Sequence, residues 1–402
     1  MLKRKSVISD IYIFIILLLP MFAQYAIGPI DFDVILLLFV VFLLFVTKRL
    51  NITVDGPILL LLTYTLLVTL CNLLVGKLYA TIFEIVFRLG KYILYFIVSI
   101  LIGVNRQFKY DRAMQIYRII AFFAVAYILL QALFYYLFNI TLPNKIGKTI
   151  VEQGGVEVGR LRSFYSEPAE FAYSMIPFIV CSLFGKNYKK KDTRFFDAIF
   201  VSIGIVISTS GQGIVCCAAM WVIWIIEKII KRELNVKTLA TIILIVIVAC
   251  VLYTSGILSF ALDRVNDTGE YSAMAARFSG YKTLSLLNIL QLVFGVGYGN
   301  YVTKNIYGLD VPYEFVNYSS IAENLFTIGI IGFCLLVFVF FKAYKKGNKR
   351  SKALIFAILI LSTFGCPLIS KLLPIYLSFV YVKDGVNNSK KVIEENKDGE
   401  GK

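Results

Sequence analysis

Long uninterrupted apolar stretches dominate the chain, and short charged segments separate them. Residues 11–19, 34–46 and 242–252 illustrate the pattern. A hydrocarbon core ~30 Å thick needs about 20 apolar residues in a helix to cross it, and backbone groups inside that core must pair internally. Strands of a membrane barrel would show short alternating segments instead. The pattern therefore predicts an all-α, polytopic membrane protein.

Twelve helical spans are predicted, at residues 11–28, 34–47, 57–75, 82–104, 116–138, 171–185, 195–210, 212–227, 238–257, 320–341, 353–366 and 368–382. The last two are short and Pro367 separates them, so a single broken helix is the alternative, and the total is eleven or twelve. Three basic residues, 3–5, precede the first span as in a signal peptide. No small-residue cleavage site follows, so a retained signal-anchor is expected.

Composition agrees with this assignment. The chain is 59% hydrophobic and 16% charged, with a mean hydropathy of +0.79, whereas soluble domains are about 45–50% apolar and about 25% charged. We therefore expect one membrane domain over residues 1–382. Residues 383–402 are polar and mixed in charge, which predicts a disordered C-terminal tail.

Basic residues are unevenly distributed between alternate connections. One set of connections holds 24 Lys and Arg, and the opposite set holds nine. Under the positive-inside rule the richer set is cytoplasmic, which places the N-terminus inside and two long loops, 139–170 and 258–319, outside. The net charge of +16 therefore reflects orientation in a bacterial cytoplasmic membrane and does not predict nucleic-acid binding.

Several kinds of site are excluded or disfavoured. The chain has no histidine, and its seven cysteines lie in or beside apolar segments, so neither a disulfide framework nor a cysteine or histidine metal site is predicted. No phosphate-binding loop motif is found, and the short basic connections leave no room for a nucleotide-binding domain. No metal and no cofactor are expected.

The first polar segment of the outer face contains Arg160 and Arg162, followed by Ser166-Glu167-Pro168. Ser166 is predicted to cap the sixth span, with Pro168 in its first turn. The arginines are either solvated or phospholipid-bound charges, or a clamp for pyrophosphate, because a guanidinium holds phosphate oxygens bidentately. Glu167 by default interacts with the helix dipole.

A second polar segment spans residues 275–301. Arg277 and Lys282 are placed on an amphipathic helix whose apolar residues 284–294 face the membrane surface. Glycines at 295, 297 and 299 then predict a tight turn with close backbone approach. A surface helix followed by a flexible turn is the alternative without function.

The third polar segment begins with Glu323 and Asn324 at the outer end of the tenth span. Ionisable groups at such depth are costly and mark functional sites. Glu84 and Arg88 in the fourth span are similarly costly. Because they are four residues apart on a helix, they are predicted to pair with each other and to have a structural role.

Together the three segments resemble the Wzy-type polysaccharide polymerases and the related O-antigen ligases. The matching features are Arg160 and Arg162 before Ser166-Glu167-Pro168, Arg277 before GVGYGNY at 295–301, and Glu323-Asn324 before GIIG at 329–332. The resemblance covers residues 159–333 and the span count. The ligases have histidine where this chain has Glu323, which favours a polymerase. Many relatives have Ser-Arg-Ser where residues 208–212 read STSGQ.

The resemblance implies an architecture like that of GT-C glycosyltransferases and a metal-independent glycosyltransferase activity. Its substrate would be undecaprenyl-pyrophosphate-linked oligosaccharide, polymerised into an O-antigen, capsular or exopolysaccharide, with a chain-length regulator and a flippase as further partners. Glu323 is the expected catalytic base, and Glu167 is its rival. The expected substrate-binding residues are Arg160, Arg162, Arg277, Lys282 and Asn324.

Two other functions stay open from the sequence. One is a ligase-like transfer of finished glycan, and the other is a flippase or transporter of lipid-linked oligosaccharide. A transporter is expected to place its charges inside the bundle near mid-membrane. Here the polar residues concentrate in asymmetric outer loops, which favours the polymerase.

Overall fold

We describe the protein from a computed structural model. The described residues are 2–22, 24–27, 30–47, 55–76, 78, 80–103, 109–144, 161–188, 192–233, 239, 243, 254, 280–281, 284–300, 305–306, 309–310, 319–365, 368 and 370–382. Arg160, Arg277, Lys282 and the tail 383–402 lie outside them.

Helices account for most of the described residues. The twelve that are described over their whole length are α1 (Leu2–Phe22), α2 (Phe32–Val46), α3 (Gly56–Val75), α4 (Ile82–Gly103), α5 (Tyr110–Phe138), α6 (Pro168–Phe184), α7 (Arg194–Ile207), α8 (Gly211–Ile230), α9 (Ile289–Phe294), α10 (Ser320–Lys346), α11 (Lys349–Phe364) and α12 (Leu373–Tyr381). Two short antiparallel hairpins pair β1 (Ala26–Ile27) with β2 (Ile30–Asp31), and β3 (Asn305–Ile306) with β4 (Leu309–Asp310).

Four of the described helices, α3, α5, α8 and α10, are long and apolar enough to cross a membrane. Three shorter apolar helices among those described are Asp10–Phe22 within α1, all of α2 and all of α6. Eleven of the twelve predicted spans correspond to helices, and the prediction at 238–257 lies almost entirely outside the described residues. The first span ends early, at Phe22 and not at residue 28, because the chain turns at Tyr25 into the β1–β2 hairpin.

The centre of the bundle is α6, which packs against α1, α5, α7, α8, α11 and α12. Every residue from Phe171 to Phe184 is buried. A helix that is apolar all round is stable only when protein or lipid covers all of its surface. This explains why the least polar part of the segment becomes the core and why its polar first turn, before Phe171, lies at the end of the bundle.

The last two helices form an antiparallel hairpin. Arg350, at the start of α11, donates from Nη2 to the Val382 carbonyl at 2.7 Å, and Ser351 Oγ donates to the Val380 carbonyl at 2.8 Å. The chain therefore reverses direction between α11 and α12, and the interpretation of 353–382 as one broken helix is wrong. α12 packs chiefly against α4.

The two ends of the bundle differ in their charges. We call "basic end" the one where α3, α5, α7 and α11 begin and α8 and α10 end. Ion pairs between its described segments include Arg112–Asp10, Arg118–Asp197, Lys342–Asp55 and Lys349–Glu227. We call "site end" the one where α6, α10 and α12 begin and α11 ends. There the Ser320 N–H donates to the Gly365 carbonyl at 2.7 Å.

Candidate functional site

Helix α10 is broken in its first third. Gly329 has φ 64° and ψ −173°, so the helix runs from residue 320 to 328 and resumes at 330. The break exposes the carbonyls of Phe326 and Thr327, which accept from the N–H groups of Val296 at 3.1 Å and Gly297 at 3.0 Å. The glycine-rich turn is therefore hydrogen-bonded to the break.

Two glycines allow this close approach. A Cβ on Gly295 would lie 2.3 Å from the Thr327 carbonyl oxygen, and one on Gly329 would lie 2.4 Å from the Val293 carbonyl oxygen. Both residues also have positive φ, which glycine adopts at little cost. The prediction of a tight turn with close backbone approach is confirmed.

The turn also contacts α3. The Tyr298 N–H donates to Thr69 Oγ1 at 2.9 Å, and Asn300 Nδ2 donates to the Val296 carbonyl at 2.9 Å. The helix before the turn is shorter than predicted, because the chain turns at 285–288 and α9 begins only after Asn288. The described part of this segment is thus a rigid support for α10 and not a single long surface helix.

Glu84 and Arg88 lie within electrostatic range of each other, as predicted, and each also makes hydrogen bonds of its own. Arg88 Nη1 donates to the Gly299 carbonyl at 3.1 Å, while Glu84 Oε2 accepts from the Thr81 N–H and hydroxyl, each at 3.0 Å. Each side chain therefore has a structural role of its own: Arg88 secures the glycine-rich turn to α4, and Glu84 satisfies the first turn of α4.

Glu323 and Asn324 lie in the short first part of α10 and point into the protein. Glu323 is 7% exposed and lies within electrostatic range of the Tyr92 phenol on α4. Asn324 is fully buried, and its Nδ2 donates to the Ser320 carbonyl at 2.7 Å. Among the described residues, neither Asn324 Oδ1 nor the Tyr92 hydroxyl has a hydrogen-bond partner. An unpaired buried polar atom costs about 1–3 kcal/mol, so these two atoms are suited to meet a polar ligand.

The start of α6 differs by one residue from the prediction. Glu167 occupies the N-cap position, without a side-chain cap bond, and Pro168 is the first helical residue. Ser166, the predicted cap, uses its hydroxyl to contact the Glu170 carboxylate one turn into the helix. Glu167 is half-buried and remains close in sequence to both Arg162 and Glu170.

Arg162 is held in place by its own loop. Nη1 donates to the Ser166 carbonyl at 2.7 Å. With the Asn144 amide oriented so that its oxygen faces the guanidinium, that oxygen accepts from Nε at 2.7 Å and Nη2 at 3.2 Å. Arg162 thus joins the end of the α5–α6 loop to its beginning and is fixed immediately beside the start of α6.

Lys371 and Glu170 form an ion pair that the sequence analysis did not identify. Lys371 Nζ lies 2.5 Å from Glu170 Oε1, and the side chains are only 14% and 21% exposed. Burial raises the pKa of the neighbouring Tyr165 phenol, and the Glu170 carboxylate adds to that rise. Tyr165 therefore stays neutral. In the sequence, only the presence of a lysine within the apolar segment 368–382 suggested that Lys371 has an acidic partner.

A second polar cluster joins Lys91 and Tyr95 of α4 to Asp31 and Asp33 at the start of α2. Lys91 contacts Asp31 and lies 3.6 Å from Asp33 Oδ1, while the Tyr95 hydroxyl donates to Asp33. Tyr95 also lies within electrostatic range of Glu170. Residues three apart share one face of a helix, so Tyr92 and Tyr95 lie on the same face of α4. Glu323, near Tyr92, and Glu170, near Tyr95, therefore lie along that face.

We call these residues the polar layer. It comprises Asp31, Asp33, Tyr92, Tyr95, Lys91, Arg162, Ser166, Glu170, Glu323, Asn324 and Lys371. The structure thus brings three predicted site residues, Arg162, Glu323 and Asn324, to one end of the bundle, with Glu167 at the start of α6 beside them. The part of the chain that the structure describes contains no group of acidic or cysteine side chains arranged to hold a metal ion.

No protein-family model matches this chain, and no curated protein has significantly similar sequence. The function is therefore inferred from the residues and their arrangement. The polar layer offers carboxylates, phenols, one amide and cations at the site end of the bundle.

The Lys371–Glu170 pair is expected to couple α12 to α6. Lys371→Met or Glu170→Gln should each lower the free energy of unfolding by about 1–3 kcal/mol, because each leaves a half-buried charge alone, and the double variant should lose less than the sum. Thermal unfolding of the purified protein in detergent measures this. Lys231→Met, which removes an exposed lysine from its pair with Glu227, should leave the free energy of unfolding almost unchanged, because exposed ion pairs contribute little. Strict additivity of the two single changes would contradict the coupling.

Proposed function

We propose that the protein is a metal-independent glycosyltransferase that polymerises undecaprenyl-pyrophosphate-linked oligosaccharide repeat units into a surface polysaccharide. One observation carries the proposal. The three segments that resemble the Wzy-type polymerases are distant in sequence, yet they meet at the site end. The glycine-rich turn bonds to the break in α10, and Glu323 and the start of α6 lie along one face of α4.

In this proposal the remaining apolar helices also span the membrane, giving eleven or twelve spans in an architecture like that of GT-C enzymes. The basic end faces the cytoplasm, and the site end faces outward with the loops 139–170 and 258–319. The positive-inside rule supports this orientation, since Arg112, Lys342 and Lys349 all lie at the basic end. The lipid carrier's head group would then reach the polar layer from the outer leaflet.

The reaction joins the acceptor hydroxyl oxygen to the anomeric carbon of the donor. The bond from that carbon to the pyrophosphate oxygen breaks, and its electron pair leaves with the lipid pyrophosphate. Glu323 takes the proton of the acceptor hydroxyl, as a general base. Asn324 and Tyr92 meet polar groups of the glycan through their unpaired oxygens.

Fixed cations stabilise the charge that develops on the leaving pyrophosphate, as donors in oxyanion sites do. Arg162, already oriented by Asn144 and Ser166, is the described member of this set. Arg160, Arg277 and Lys282 are its further proposed members. Glu167 is the alternative base. It occupies the N-cap position of α6, where a carboxylate by default interacts with the helix dipole, so it is the second choice.

The break in α10 favours one second candidate, a flippase of lipid-linked oligosaccharide. Transporters build their substrate sites from discontinuous helices near the bilayer midplane, and Gly329 interrupts a helix that is long and apolar enough to span. The break here lies nine residues after the start of the helix, near the site end. That position favours a site at the outer mouth.

The glycans of a deletion strain distinguish the candidates. Loss of a polymerase leaves single repeat units on the carrier or the surface anchor, and the wild-type chain on a plasmid restores the polymer. Loss of a flippase traps single units on the cytoplasmic side, and loss of a ligase leaves long polymer on the carrier. Normal polymer in the deletion strain excludes all three.

A further inference from the structure

A cavity of about 370 Å³ opens at the basic end, far from the polar layer. It lies where α6 and α8 end and α7 and α11 begin. Its walls include three cationic side chains, Arg194, Lys228 and Lys349, together with the aromatic side chain of Trp224. Ligand pockets in proteins start at about 300 Å³, so the space is large enough for a phospholipid head group.

Each cation of the cavity is partnered by a carboxylate. Lys349 pairs with Glu227, whose side chain is 21% exposed, and Asp192 itself lines the cavity. Arg194 pairs with Asp192 at 2.8 Å, and Lys228 pairs with Glu233 at 2.6 Å; both carboxylate side chains are 53% exposed. Exposed ion pairs contribute little to stability. Arg194 and Lys228 can therefore exchange these partners for a phosphate at little cost, and Arg194 adds a planar fork that suits phosphate oxygens.

Helix ends add to the preference for an anion. α7 begins at Arg194 and α11 begins at Lys349, so the positive ends of two helix dipoles lie at the cavity. The negative end of α8 also lies there, with Lys228 in its last turn. The negative end of α6 is covered, because Arg194 donates to the Gly185 carbonyl. The connection between α6 and α7 also carries three further lysines in sequence, at 189–191.

The cavity also has an apolar edge. Phe196 lines it and is 64% exposed, and Ile230 at the end of α8 is 75% exposed. Phe196 offers a surface for acyl chains at the cavity that the cations line, and Ile230 extends the exposed apolar surface at the end of α8. Free phosphate would use only the cations, whereas a phospholipid uses both. We therefore propose that this cavity binds the phosphate of an anionic phospholipid, with its acyl chains along Phe196. Basic pockets between membrane helices bind such head groups.

The chain has two tryptophans, which provide a direct test. Trp224 lines the cavity, and Trp221 packs near it with its Nε1 donating to Ser202 at 2.9 Å. Full-length protein in a neutral detergent is titrated with dioleoyl-phosphatidylglycerol, with dioleoyl-phosphatidylcholine and with inorganic phosphate. We expect a saturable change in tryptophan emission with phosphatidylglycerol. It should persist in Trp221→Phe and disappear in Trp224→Phe.

Removing the cations should weaken binding selectively. Arg194→Gln combined with Lys349→Gln should raise the phosphatidylglycerol midpoint at least about tenfold, since charge-assisted contacts are lost. Lys228→Gln alone should raise the phosphatidylglycerol midpoint about threefold. This single variant still tests the proposal if the double variant does not fold. Lys352→Gln is the matched control, because Lys352 is exposed one turn further along α11 and does not line the cavity.

Three outcomes overturn the proposal. An equal response to phosphatidylcholine removes the need for an anionic lipid. Saturation by inorganic phosphate at the same concentration shows that acyl chains contribute nothing. If the midpoint is unchanged in folded Arg194→Gln/Lys349→Gln and Lys228→Gln proteins, the cavity is not the site that binds the lipid. Polymer formation is not the readout, so the result is independent of the proposed reaction.

Discussion

Replacing Glu323 by glutamine is expected to abolish polymer while single lipid-linked repeat units accumulate. Glutamine keeps the shape of the side chain and one acceptor oxygen, so the first part of α10 should still pack beside Tyr92. What is lost is the ability to accept a proton from the acceptor hydroxyl. A positioned general base contributes about 10²–10⁴-fold in rate, and a deficit of that size leaves no detectable long chains.

The experiment compares three glutamine variants at matched membrane abundance. Glu167→Gln should shorten or reduce the polymer less than Glu323→Gln does, because Glu167 lies at the N-cap of α6 and by default interacts with the helix dipole. Glu84→Gln is the control, since Glu84 is exposed and serves only the first turn of α4. Near-normal polymer from the Glu323→Gln protein would remove Glu323 from the mechanism. A stronger defect in Glu167→Gln would exchange the roles of the two carboxylates.

A methyl group at Gly329 or Gly295 is expected to cost at least about 3 kcal/mol of stability. The backbone angles of Gly329, φ 64° and ψ −173°, lie in a region that is essentially restricted to glycine and costs other residues about 1–3 kcal/mol. The added Cβ would also overlap backbone atoms at 2.4 Å, or at 2.3 Å for Gly295. Backbone cannot move aside as a flexible side chain can, so the turn must separate from the break.

Gly90→Ala is the matched control for these changes. Gly90 lies inside α4, and nothing lies within 4 Å of the position of an added Cβ. Alanine in a helix interior is favoured over glycine by about 0.5–1 kcal/mol, so this variant should be neutral or slightly more stable. Thermal unfolding in detergent and membrane abundance measure all three. Gly329→Ala or Gly295→Ala proteins as stable as Gly90→Ala would show that the turn is not bound to α10.

Local pattern was a good guide to where helices form, and a poorer one to where they break. Eleven predicted spans correspond to helices because a long apolar segment in lipid has few alternatives to a helix. The break in α10 was not predicted. The sequence shows GIIG at 329–332, but only hydrogen bonds from Val296 and Gly297 make the interrupted backbone stable.

The candidate site divides in the same way. Glu323, Asn324 and Arg162 could be identified because charged or amide side chains at the ends of apolar segments are costly and so are informative one at a time. Lys371–Glu170, Lys91–Asp31 and the position of Tyr92 beside Glu323 could not be identified. Each of these contacts joins residues at least 60 positions apart, and no local period relates them.

By itself the sequence indicated that the apolar segments lie in lipid, that they are helical, and which polar residue types stand at their ends. It could do so because transfer of each segment into lipid depends on that segment's own composition. Tertiary structure alone decided that the chain returns between α11 and α12, that the glycine-rich turn supports a broken α10, and that α4 aligns Glu323 with Glu170. Packing among apolar helices depends on the shape of their surfaces and on small residues at contact points. Those terms arise between segments, so they are set only when the helices meet.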